Sequence, residues 1–168
     1  MIAGVAQLLF DTGIHPARYV LRAWPVAMVP TFAIALTLMA ASDLFQAETL
    51  FPKSQWDGLQ QLAPGWMFLQ VVLFAPIVET LLMGGILFVL TRILHRRLWV
   101  VLCSAAIWGV LHGLSAVVWG VCIFWTFIVL TCAFLAWRAR SFAHAFLVTT
   151  AIHALNNAVA GFGLLLAP

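Results

Sequence analysis

From Leu98 to Trp137 no Asp, Glu, Lys or Arg interrupts the chain. At about 20 residues per crossing, a run of that length traverses a bilayer twice, joined by a tight turn around Gly113–Gly120. Composition agrees: hydrophobic residues make up 65% and charged residues 8% of the sequence, against about 25% charged in ordinary soluble domains. The expected fold class is therefore all-α: a polytopic membrane helix bundle with about five transmembrane helices. The other crossings are expected near 23–42, 66–91 and 142–166. Between the first two, residues 43–64 hold Asp43, Glu48, Lys53 and Asp57 among Leu50, Phe51, Trp56, Leu59 and Leu62. That mixture suggests an amphipathic piece lying on the membrane surface.

The formal net charge of +3 is read here as a topology signal, not as a sign of an acidic partner. No Lys/Arg-rich run interleaved with aromatics points to nucleic acid. Arg18 and Arg22 precede the first crossing, Arg92, Arg96 and Arg97 follow the second, and Arg138 and Arg140 follow the fourth. With five spans, two crossings separate each arginine group from the next, so all the arginines lie on one side and Lys53 alone on the other. The positive-inside rule makes that side cytoplasmic, with the N-terminus inside. The opening MIAGVAQLLF lacks a basic n-region and is too short to span, so it is expected at the interface and not as a cleaved signal. Cys103, Cys122 and Cys132 show no CxxC spacing and read as small buried hydrophobes. Nothing resembles a linker or repeat. The chain reads as one domain, with residues 1–65 forming an interfacial segment, first span and connecting loop ahead of a helical core over 66–168.

Glu79 is the only charged residue between Asp57 and Arg92. An ionisable group at that depth is expensive in lipid and by default marks a functional site. His112 and His153 stand in two other apolar runs. Each of the three lies about 13–15 residues, or roughly 20 Å of helix, from its nearest arginines. A lone Glu or His can serve only to fix packing, but three at one level point to a shared site. Close approach is favoured by small residues at Ala105, Gly109 and Gly113, and again at Ala154, Ala158 and Gly161. Pro76, one turn before Glu79, removes a helical hydrogen bond and can bend the helix around a cavity. Asn157 follows His153 by one turn and shares its face. Asn156 is read as a helix–helix hydrogen bond, and His15, His95 and His144 as interfacial.

These residues fall into three short motifs: APIVETLLMGG at 75–85, WGVLH at 108–112 and HALNN at 153–157. Their order and spacing resemble the EExxxR, FxxxH and HxxxN motifs of the CAAX-protease and bacteriocin-processing (Abi) family, glutamate-dependent intramembrane endopeptidases. The resemblance runs over roughly residues 66–160. It implies a catalytic set of Glu79, His112, His153 and Asn157, no cofactor, and a membrane-tethered protein or peptide substrate met in the lipid bilayer. It also implies a multi-pass protein of a prokaryotic plasma membrane. Thr80, Gly84 and Trp108 stand where the motifs have Glu, Arg and Phe. The missing Glu and Arg depart together, so no orphan charge is left in lipid.

The expected chemistry is hydrolysis. Glu79 would act as general base on a water shared with His112, while His153 and Asn157 would meet the oxyanion. Two His and one Glu also make an acceptable zinc set, although no HExxH occurs. A proton-coupled carrier, a bacteriocin-immunity protein or a scaffold is the non-enzymatic alternative.

Overall fold

The computed structural model describes residues 2–45, 58 and 61–166. Among these, all regular structure is helical: α1 (Ile2–Phe10), α2 (Pro16–Phe45), α3 (Pro64–Ile93), α4 (Arg97–Gly113), α5 (Val117–Arg138) and α6 (Phe142–Leu166). The surface-lying piece expected over 43–64, with Glu48, Lys53 and Asp57, falls largely outside the described residues.

Four of these helices (α2, α3, α5 and α6) are long and apolar enough to cross a membrane. The uncharged run, expected to cross twice, forms two helices, α4 and α5, turning at Leu114–Ala116, of which only α5 is long enough to span. With 17 residues, α4 reaches only about 25 Å, less than the roughly 30 Å hydrocarbon core. It is an apolar helix of less than full span. The first span begins at Pro16, well before residue 23, because Arg18 and Arg22 are good helix formers whose long side chains can reach the interface. Proline at its first position suits that start, and His15 Nδ1 accepts the Ala17 N–H at 3.2 Å. At the start of α6, Ser141 Oγ accepts the His144 N–H at 3.1 Å. His144 also stacks on Trp137. Of the three histidines read as interfacial, His15 and His144 each take part in a hydrogen bond at a helix start.

The most buried span is α5, which packs on α4, α6, α2 and α1. Trp137, Phe127, Leu130 and Val129 on α5 meet Tyr19, Met83 and Ile152 from the surrounding helices, all nearly or fully buried. Tyr19 Oη donates to the Leu9 carbonyl at 2.6 Å, tying α1 to α2. Between α4 and α5, Thr131 Oγ1 donates to Ser104 Oγ at 3.0 Å. The small-residue stripe of α4 lies against Gly120: a Cβ there would sit 2.9 Å from Gly113 Cα and collide with the Gly109 carbonyl.

Prolines inside two helices withhold backbone hydrogen bonds, and in each helix one carbonyl accepts from a side chain of a neighbouring helix. Pro30 sits inside α2 and has no N–H for Val26, four residues back. The Trp125 indole of α5 donates to that carbonyl instead, at 2.8 Å. In α3, Gln70–Phe74 forms a π turn ahead of Pro76, and the Ala75 N–H bonds the Gln70 carbonyl. These two proline-containing helices form walls of one cavity.

Candidate functional site

A cavity of about 550 Å³ opens between α2, α3, α5 and α6, with the end of α4 at its floor. Glu79 enters from α3, one turn beyond Pro76. His112 comes from the last turn of α4 and His153 from the middle of α6. Glu79 Oε2 lies 3.8 Å from His112 Nε2 and 3.7 Å from His153 Nε2. The three side chains are 21%, 15% and 5% exposed, so the trio is largely withdrawn from the surface. The equal distances from the arginines thus correspond to a real meeting point.

Both separations exceed hydrogen-bonding distance, and Glu79 Oε2 is buried with no hydrogen-bond partner. Among the described residues, no Lys or Arg lines the cavity. A charge on Glu79 would have only imidazoles, amides and hydroxyls to answer it.

The tautomer of His112 is set by its own helix. Its Nδ1 lies 3.0 Å from the Trp108 carbonyl, which can only accept, so Nδ1 carries the proton. In the neutral ring Nε2 is then a bare lone pair facing Glu79. Aromatic walls hold both imidazoles. Phe127 packs tilted on His112 and edge-on to His153, each at 5.6 Å, and stacks on Trp108 at 4.7 Å. Trp119 meets His112 edge-on at 5.0 Å.

Asn157 also lines the cavity, but its Nδ2 donates to the Val71 carbonyl at 2.9 Å. One of its two amide hydrogens is therefore committed to α3. Asn156 corrects the sequence reading, since it lines the same cavity and its Oδ1 is buried without a partner. About 100° separates it from Asn157, but only about 60° from His153, three residues before. The two asparagines straddle the histidine.

Sequence reasoning also missed Gln70, Phe127, Trp119 and the α2 residues Met28, Thr31 and Phe32. Gln70 carried a signal, being a polar residue in an apolar span. The others look like any lipid-facing or packed residue. Among the described residues, no group of three or more His, Cys, Asp and Glu side chains is arranged to hold a metal ion.

Residues 61–159 match the family model described as type II CAAX prenyl endopeptidase, Rce1-like. No curated protein and no solved structure matches the chain.

Proposed function

Since this chain belongs to the Rce1-like family of type II CAAX prenyl endopeptidases, a family of CAAX-type intramembrane proteases, we propose that it cleaves a membrane-associated or C-terminally tagged protein with a water activated by Glu79. The observation that carries this reading is the convergence of two imidazole Nε2 atoms, within 3.8 Å, on one buried carboxylate oxygen. Glu79 Oε2 and the His112 Nε2 lone pair are both acceptors, suited to the two hydrogens of a single water. As the water oxygen bonds to the scissile carbonyl carbon, Glu79 takes a proton and the carbonyl oxygen gains the charge.

His153, in the tautomer that protonates Nε2, and the remaining amide hydrogen of Asn157 would meet that oxyanion. Donors of this kind contribute roughly 3–4 kcal/mol each in better-known proteases. The C–N bond then breaks and the leaving amine takes the proton from Glu79; the water's second proton passes through His112 Nε2 to the amine, so that a carboxylate and an ammonium depart. Substrate would be a segment already tethered to the bilayer, which supports its entry into an apolar cavity.

The test uses purified protein in detergent and a quenched fluorogenic peptide ending in a farnesylated CAAX-type tail, alongside its unprenylated form. Glu79→Gln and His112→Ala are expected to lower turnover by about 10²–10⁴-fold, with folding checked by thermal unfolding. Undiminished turnover in both variants ends the proposal. Mass spectrometry of membrane proteins from cells with and without Glu79 then identifies the natural substrate.

A further inference from the structure

Around Pro76 the backbone of α3 is short of donors, since the proline withholds an N–H from Val72 in the α pattern and from Val71 in the π pattern. In a regular helix the Val71 carbonyl would accept from Ala75, four residues on. That N–H is taken by Gln70 in the π turn. The next donor in the π pattern would be residue 76, which is proline and has none. Val71 is left short of a backbone donor in both patterns, and in an apolar membrane interior an unserved carbonyl is unfavourable. Asn157 Nδ2 fills the vacancy at 2.9 Å. The approach that permits this is close: one turn further along α6, a Cβ on Gly161 would stand 3.0 Å from Val72 Cγ2. Trp125 repeats the device on the opposite wall, donating to the carbonyl that Pro30 abandons.

We propose that Asn157 is a positioning residue: its amide supplies the hydrogen bond that Pro76 removes, and thereby fixes the turn of α3 from which Glu79 reaches the two histidines. The inference rests on the reading of Glu79 as the reacting carboxylate. It adds a role for Asn157 that acts through the helix and not on the substrate. Pro76 and Asn157 form a matched pair in which the loss of one partner makes the other a liability.

Restoring the missing backbone N–H tests it. Asn157→Ala, Pro76→Ala and the double variant are compared in detergent for thermal midpoint and for modification of Glu79 by dicyclohexylcarbodiimide. This apolar reagent attacks carboxyls buried in membranes, and peptide mass spectrometry reads its rate at Glu79 without any substrate. Asn157→Ala is expected to lower the midpoint by about 3–10 °C, the order for a buried acceptor stripped of its partner. Its Glu79 labelling rate should differ from wild type by more than about threefold, since a displaced group reacts differently. In the double variant both values return toward wild type, because the Pro76→Ala change supplies the backbone N–H that the turn lacks. Failure of the midpoint to recover overturns the pairing. Recovery of the midpoint without recovery of the labelling rate makes Asn157 a packing residue only, and also overturns the proposal. If instead Glu79→Gln retained turnover, the hydrolytic reading would fall while the pairing stood.

Discussion

Gly84 lies against the ring of Phe134. A Cβ on Gly84 would stand 3.1 Å from Phe134 Cζ and 3.3 Å from Phe142 Cε2. The two rings meet edge to face at 5.9 Å, and Phe134 is buried. By the motif resemblance, Gly84 stands where the family has arginine and Thr80, one turn earlier, where it has its second glutamate. Thr80 is itself only 1% exposed. Aromatic carbon fills the space beside Gly84, so the absence of the charged pair is accommodated by repacking.

Putting the pair back should therefore fail. Gly84→Arg would drive a guanidinium into Phe134 and Phe142, combining overpacking of about 1–3 kcal/mol with a buried, unpaired charge worth roughly 3–5 kcal/mol more. Adding Thr80→Glu supplies a counter-charge but no room, so the double variant should also lose its monodisperse peak in detergent size-exclusion chromatography. A well-folded double variant would mean that space for the ion pair persists.

Gly120→Ala strikes backbone on both sides. The new methyl would meet the Gly109 carbonyl and the Gly113 backbone, neither of which can swing aside as a side chain can. Relief requires α4 to move away from α5, taking His112 with it. Expected are a destabilisation of about 1–3 kcal/mol, a lower thermal midpoint, and turnover reduced by more than the midpoint alone explains. An unchanged midpoint would show that α4 and α5 are less tightly joined than their glycines indicate.

The glycine contact and the polar trio were legible in sequence for different reasons. Glu79, His112 and His153 stand out because any ionisable group in an uncharged run is conspicuous, and helical rise converts their positions into a common depth. The stripe from Ala105 to Gly113 was readable as a close-packing face, though its partner, Gly120, was not. The short length of α4 left no trace, because its end runs through Leu114, Ser115 and Ala116 with little change in polarity. Nor did the wall built by α2, since Met28 and Phe32 are apolar whether they face lipid or a cavity. The π turn was hidden for a related reason. Pro76 announced a lost hydrogen bond, but which carbonyl lost it, and that Asn157 serves it, depends on how α3 and α6 pack.

Chelation separates the carboxylate reading from a zinc centre. Among the described residues no trio is placed to hold a metal, and the proposed water is activated by Glu79 and His112 alone. Turnover of the fluorogenic peptide should survive dialysis against a strong chelator. A loss that added zinc reverses would assign the chemistry to a bound metal.

The two nitrogens of His112 can be tested separately. Nδ1 is spent on the Trp108 carbonyl at 3.0 Å, whereas Nε2 faces Glu79 at 3.8 Å. In His112→Asn the amide N–H can still reach toward Trp108, but the atom corresponding to Nε2 is gone. Stability should therefore stay within about 1 kcal/mol of wild type, since the bond to the carbonyl is kept. Turnover should fall by about 10²–10⁴-fold, as deeply as in His112→Ala, because a positioned acid–base partner is lost. If His112→Asn kept its turnover while His112→Ala lost it, the bond to Trp108 would be what the site needs, and His112 would hold α4 in shape without handling the water.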